Sequence, residues 1–339
     1  MESALTMVPP RRSAKASARA DLPLAVGPAI STACFSSGIR MTSSTSFTAT
    51  IIAGREPLDD GALAHARAAL PTAEAPLWLD PGRAADIPFS ASADADQRAL
   101  SETLRAALPG ADAVVQPSAT RRKKLFLADM DSTMIGQECI DELAAFVGLK
   151  EHVAAITERA MRGEIEFEPA LRERVALLKG LPAAVVDEVI AKHITLTPGA
   201  RTAVATMRAH GIYTCLVSGG FTLFTDRIAT MIGFDEARAN TLEVDGGKLS
   251  GLVREPIFGR DSKRSALIEL RDRFRLAAHE TMAIGDGAND LAMIAESGLG
   301  VAYYAKPKVA AVAPARIEHG DLTALLYIQG YRRDEFAES

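Results

Sequence analysis

From residue 46 the chain falls into short apolar runs separated by turn residues, and the runs carry two periods. "FTATIIAG" (47–54), "APLWLD" (75–80), "ADIPFSA" (85–91) and "ADAVVQP" (111–117) read as strands, with turn residues Pro81 and Gly82 between the middle two. "DDGALAHARAAL" (59–70) and "DADQRALSETLRAAL" (94–108) place apolar residues at helical spacing behind acidic starts. The resulting order, strand–helix–strand–strand–helix–strand over about 70 residues, predicts a small α+β ferredoxin-like domain at 46–118.

After Lys124 the pattern changes. "KLFLAD", "IYTCLVSGG", "ETMAIGDGAND" and "LGVAYY" are apolar runs of strand length, and "LFTDRIATMIG" and "DLAMIAESG" are helical. Strands alternating with helices predict a doubly wound parallel sheet with helices on both faces. Four helical runs interrupt that alternation between about 138 and 195: "QECIDELAAFVG", "EHVAAITERAMRG", "FEPALRERVALLKGL" and "AAVVDEVIAKH". They predict a helical cap inserted over the carboxyl ends of the strands, where such sheets bind ligands. The expected catalytic domain is therefore 119–339. "PSATRRKK" reads as the connection to it, and "RRKK" (121–124) as a solvated linker. Residues 1–45 read as a disordered or processed tail. Their basic, weakly apolar "RRSAKASARADLPLAVGPAISTACFSS" has a faint likeness to a targeting peptide, and Met41 is an alternative start.

Composition changes this picture little. The 339 residues suit two domains, and 48% apolar with 24% charged residues is ordinary for a globular chain. A net charge of −5 gives no electrostatic reason to expect nucleic-acid binding, and no run is apolar enough to predict a membrane span. Cys34, Cys139 and Cys215 have no paired spacing, which fits a reducing, cytoplasmic setting. None of the six histidines has metal-ligand spacing.

The chemistry sits at the predicted strand tips: "DMDST" (129–133), "SGG" (218–220) and "GDGAND" (285–290), with Lys263 between the last two. Asp129 and Asp131 are too close to stay ionised together without a cation. Asp286 and Asp290 add oxygen ligands, and an all-oxygen site with few carboxylates suits Mg²⁺ beside a phosphate. Ser218, Thr222, the Gly219 and Gly220 amides and Lys263 offer phosphate-binding donors. A carboxylate can attack phosphorus, and a second can give the leaving group its proton and later take one from water. That predicts Asp129 as nucleophile and Asp131 as acid and base.

In this order and spacing the four elements resemble the motifs of the haloacid dehalogenase-like superfamily over about residues 124–328. The resemblance implies that Asp129, the Asp131 backbone carbonyl and Asp286 hold Mg²⁺. It also implies that Ser218 and Lys263 hold phosphoryl oxygens, and that Asn289 and Asp290 support the site. "DMDSTMIGQECIDELA", "AMRGEIEFEPALRERVALLKGL", "LVSGGFTLFTD" and "AIGDGANDLAMI" are similar, more narrowly, to the phosphoserine phosphatases. That likeness implies hydrolysis of O-phospho-L-serine as the last step of serine biosynthesis. It gives Glu138 the substrate amine, Arg174 its carboxylate, and Met161 and Phe167 the pocket wall, with backbone contacts from Gly219 and Gly220. Residues 46–118 resemble an ACT-type module by topology, which leaves room for serine binding there and for a homodimer.

Blander readings exist for single residues. Asp129 could be a helix cap, Arg174 a helix-surface charge, Glu138 a first-turn acid, and Met161 and Phe167 core residues. Two other functions compete: action on another small phosphomonoester, and a ligand-sensing regulator with a passive catalytic domain. The Glu138/Arg174 pair, suited to a zwitterion, speaks against the first. The intact DxD and GDGxxD patterns speak against the second.

Overall fold

Two sheets organise residues 44–161 and 164–338, the residues described by the computed structural model. The expectation for residues 1–45 lies outside them except at Ser44 and Thr45, which already belong to the first strand. The first sheet contains β1 (Ser44–Ala53), β2 (Leu77–Asp80), β3 (Ala84–Ser92) and β4 (Ala111–Pro117). Helix α1 (Asp60–Ala68) follows β1, and α2 (Gln97–Ala107) follows β3. The order β2-β3-β1-β4, antiparallel throughout, is the expected ferredoxin-like arrangement.

Neighbouring residues of a strand face opposite sides, and β1 is buried on both. Ile51 packs with Leu63, Ala66 and Leu104 under the two helices. Ile52 instead joins Leu79, Ala84 and Val114 in one apolar cluster with Leu322, Leu325, Leu326 and Ile328, from the far end of the chain. Both sheets thus belong to one compact unit.

The junction also has a polar seam. The buried Asp112 carboxylate accepts from three successive backbone N–H groups, Glu318 at 2.7 Å, His319 at 3.2 Å and Gly320 at 2.7 Å. Tyr327 donates to Asp80 at 2.6 Å. The "RRKK" run corrects its sequence reading, because three of its residues are pinned. Arg121 pairs with Asp86 at 2.5 Å, and the Arg122 guanidinium lies 3.5 Å from the centre of the Tyr331 ring. Lys123 is buried and donates to the Thr120 and His279 carbonyls at 2.8 and 2.9 Å. Arg122 and Lys124 both keep exposed side chains, and Lys124 forms an ion pair with Glu280. Carbonyls and carboxylates from distant segments close over Arg121 and Lys123 and leave the other half of the run solvated.

The second sheet is built from β5 (Leu125–Asp129), β6 (Tyr213–Phe221), β7 (Glu236–Asn240), β10 (Thr281–Gly285), β11 (Leu299–Tyr303) and β12 (Ala315–Ile317). Its order is β12-β11-β10-β5-β6-β7, and every pairing is parallel. The remaining strands, β8 (Leu242–Asp245) and β9 (Lys248–Val253), form a separate hairpin. Helices α3 (Cys139–Phe146), α4 (Lys150–Met161), α5 (Phe167–Ala176) and α6 (Val185–His193) are the expected cap. Around the sheet run α7 (Ala200–Ala209), α8 (Thr222–Ile232), α9 (Arg260–Arg273), α10 (Leu291–Glu296), α11 (Pro307–Ala310) and α12 (Ala324–Ile328).

The hairpin escaped the sequence reading. It braces the cap: Gly180 and Ala183 donate to the Leu249 and Gly247 carbonyls at 2.8 and 2.9 Å. Its signal was available in "LEVDGGKLSGLV", where Asp245, Gly246 and Gly247 mark a tight turn between alternating runs. Parallel register then brings the tips of β10, β5 and β6 side by side, with Ala128 opposite Ile284 and Asp129 opposite Val217.

Candidate active site

Strand β5 is apolar and buried up to its last residue, so Asp129 leaves the core at the sheet's carboxyl edge without reaching open water. The chain turns sharply there. Ser132 takes φ +56°, uncommon for a residue with a Cβ, and such backbone concentrates at functional sites. The turn is closed by Ile135 N–H donating to the Met130 carbonyl at 3.1 Å.

Lys263, one turn into α9 and fully buried, sits between two carboxylates. Its Nζ lies 2.6 Å from Asp129 Oδ1 and 2.7 Å from Asp290 Oδ1. Burial would lower the lysine pKa, but Asp129 and Asp290 outweigh it and hold the ammonium above its ordinary value. Asp129 is pushed well up, by burial first and then by Asp290, against the pull of Lys263. Met130 N–H also donates to Asp129, at 2.8 Å. Asp290 accepts from Gly287 N–H at 3.0 Å. Gly285 has to be glycine, since a Cβ there would lie 2.3 Å from the Asp290 carboxyl carbon.

Asp129, Asp286 and Asp290 can each turn an oxygen to within 4.8 Å of the others. Three buried carboxylate oxygens are a hard, all-oxygen donor set, so these residues fit a divalent cation. Asp131 points elsewhere. It accepts from Cys139 N–H at 3.0 Å and from Ser218 Oγ–H at 3.2 Å. Burial, then Glu138, raise its pKa to about 6.

Above this cluster lies a cavity of about 160 Å³ between the strand tips and the cap. Asp129, Asp131, Asp286, Asn289, Glu138 and Arg174 give it charge and polarity, and Ile140, Phe167, Leu171 and Phe221 give it an apolar side. Gly219 and Gly220 are in the wall. Ser218, Lys263 and Asp290 are fully buried and stand behind that wall. Arg174 on α5 has Asp141 and Glu138 as its acidic neighbours, against burial that lowers its pKa. Glu138 accepts from Ser132 Oγ–H at 2.8 Å. Met161 ends α4, and its side chain lies outside the described residues. Thr222 opens α8 and is not among the cavity-lining residues.

Three residues were missed. Lys306 lines the cavity 3.7 Å from Asp286 Oδ2, and its N–H donates to the Asp286 carbonyl at 3.1 Å. It lies three residues past the end of β11, so the strand-tip rule could have found it. Asp141 stands one helical turn beyond Glu138, among ordinary helix acids. Asn240 offered no signal, being one asparagine at a strand end.

A family model of haloacid dehalogenase-like hydrolases matches residues 126–295. A phosphoserine phosphatase of Polaromonas sp. is 48% identical over 208 residues, 60% of this chain and 88% of its own. The unliganded structure of a probable phosphoserine phosphatase from Vibrio cholerae covers 86% of this chain and 88% of its own at 32% identity, with a TM-score of 0.67. A phospho-aspartyl intermediate analogue of phosphoserine phosphatase covers 61% of this chain and 98% of its own at 40% identity, with a TM-score of 0.56. This chain belongs to the haloacid dehalogenase-like hydrolases and, within them, to the phosphoserine phosphatase family.

Proposed function

We propose that the cavity hydrolyses O-phospho-L-serine to L-serine and phosphate through a phosphorylated Asp129. Asp129 Oδ attacks phosphorus as the ester P–O bond breaks, and the Asp131 carboxyl protonates the departing serine oxygen. Asp131, now a carboxylate, takes a proton from water. The water oxygen attacks phosphorus, the P–O bond to Asp129 breaks, and phosphate leaves. An acid whose pKa is raised to about 6 is suited to both duties. In this reading Asp129, the Asp131 carbonyl and Asp286 would hold Mg²⁺, which would supply positive charge beside the phosphoryl group. Lys263 and Ser218 hold phosphoryl oxygens, with Asn289 and Asp290 in support.

The observation that carries the substrate is Arg174 and Glu138 in the same cavity as the paired aspartates. A guanidinium can bind the serine carboxylate through two parallel hydrogen bonds, and Glu138 can take the ammonium. Phe167 and Met161 complete the wall. The reaction would be the last step of serine biosynthesis, carried by residues 119–339. Residues 46–118 would bind serine rather than transform it, which calorimetric titration of serine reads directly.

The decisive experiment is phosphate release from a panel of phosphomonoesters with Mg²⁺, with and without EDTA. Phosphoserine should lead the panel, and the chelator should abolish turnover. Full activity in EDTA, or indifference between phosphoserine and simple alkyl phosphates, would refute the proposal.

A further inference from the structure

Asn240 is the last residue of β7 and is buried. Its Nδ2 donates to the Gly219 carbonyl and the Phe258 carbonyl, each at 2.9 Å, and its Oδ1 accepts from Phe258 N–H at 2.6 Å. Both amide hydrogens and the carbonyl oxygen are therefore engaged. The two partners belong to different strand-tip elements. Gly219 lies in the "SGG" loop of β6, and Phe258 precedes Gly259, the N-cap of α9, the helix that carries Lys263.

Each bond has a consequence at the cavity. In a trans peptide the C=O and the following N–H point in opposite directions. With the Gly219 oxygen drawn to Asn240, the Gly220 N–H must face away, and it donates to Ser218 Oγ at 2.8 Å. Ser218 in turn donates to Asp131 at 3.2 Å. The pair of hydrogen bonds to Phe258 fixes where α9 begins, and so where Lys263 meets Asp129. The clamp also keeps two glycines side by side beneath the cap. A Cβ on Gly259 would lie 3.3 Å from the Phe167 ring, and one on Gly219 would lie 3.7 Å from it. Phe167 thus rests on a glycine seat held together by Asn240.

We propose that Asn240 is a positioning residue: it locks the Ser218–Gly220 loop to the start of α9, so that Ser218, oriented by the Gly220 amide, and Lys263 grip a phosphoryl group as one preorganised unit. This rests on the phosphoryl-transfer reading above. It concerns the phosphoryl grip, common to all phosphomonoesters, and not the recognition of serine.

Asn240→Asp keeps size and shape but turns an oxygen toward two carbonyls in place of the donor. Asn240→Ala removes the clamp without adding a buried charge. In both variants the dissociation constant for inorganic phosphate, measured calorimetrically with Mg²⁺ present, should rise roughly tenfold. The kcat should fall roughly 10²-fold, by the same factor for phosphoserine and p-nitrophenyl phosphate. Affinity for Mg²⁺ alone should fall less than affinity for phosphate, since the clamp reaches Asp129 only through Lys263 and does not touch Asp286. A lower melting temperature with unchanged phosphate affinity would make Asn240 merely structural and overturn the proposal. So would a loss confined to phosphoserine. Failure of the substrate reading looks different: the wild-type protein binds phosphate but spares phosphoserine, and the phosphate affinities of the variants still decide the role of Asn240.

Discussion

The catalytic centre and the junction between the two sheets each bury an aspartate and a lysine, and they treat them in opposite ways. At the centre Lys263 lies between Asp129 and Asp290, with Asp286 close by. At the junction Asp112 meets only backbone N–H groups, and the Lys123 ammonium meets only backbone carbonyls. The Asp112 nest satisfies its carboxylate without a countercharge. Burial still raises its pKa, against those N–H bonds. Burial lowers Lys123 to about 8, while Lys263, buried more completely, is held high by its two acids. Charge crowding therefore separates reactive from structural burial. Three carboxylates around one lysine are an excess of negative charge suited to a metal ion and a phosphoryl group. A carboxylate wrapped in its neighbour's amides has no unmet demand and can only hold.

Removing one charge from each region should break that symmetry most visibly. Asp129→Asn should cut turnover roughly 10³-fold or more, because an amide cannot serve as the nucleophile. Its melting temperature should not fall, since the change relieves crowding and leaves Lys263 paired with Asp290. Asp112→Asn should do the reverse. An amide NH₂ facing the 318–320 amides leaves donors unmet, so urea unfolding should show a loss of about 2–4 kcal/mol with kcat of the folded protein unchanged. If Asp112→Asn slowed turnover at full stability, the junction would belong to the catalytic machinery.

Next in size, Arg174→Ala should lower kcat/KM for phosphoserine roughly 10²-fold and leave p-nitrophenyl phosphate nearly untouched. Arg174→Lys should restore part of the loss, because an ammonium lacks the guanidinium fork. Equal losses on both substrates would place Arg174 with the structural charges.

The last effect is a pH dependence at the junction. The folded-state pKa of Lys123, about 8, lies below its ordinary 10.5, so between those values the unfolded chain binds more protons. Stability from this group must then rise with pH across that window and be absent below it. The stability difference between wild type and Lys123→Met, measured in urea from pH 7 to 10, should move in favour of the wild type. A flat difference would mean that the two carbonyls keep Lys123 charged at no cost.

Much of this molecule could be read before folding. The strand–helix order of the first sheet, the four central strands of the second, the four cap helices and the three strand-tip motifs follow from periodicity and turn chemistry, which are local; the edge strands β7 and β12 went unread. The cavity then brings together Asp129, Asp131, Glu138, Arg174 and Asp286, which lie up to 157 positions apart in the sequence. The β8–β9 hairpin was legible in its Asp-Gly-Gly turn and went unread. Lys306 was legible only as one more residue after a strand. Asn240 and Asp112 were not legible, because an asparagine at a strand end and an aspartate within a strand look alike whether exposed or buried.

The sequence by itself determined which residues can do chemistry and which strand ends deliver them, because hydrophobic period and turn residues act over a few positions. Only the tertiary structure decided how those residues are held. It made Asp290 a neighbour of both Lys263 and the Asp129–Asp286 pair, and set Ser218 and Lys263 behind the cavity wall. It also turned the "RRKK" run from a linker into a seam and gave Asn240 its two carbonyls. The reason is physical: hydrogen-bond partners and burial come from segments distant in the chain, and those leave no periodic trace beside the residue they constrain.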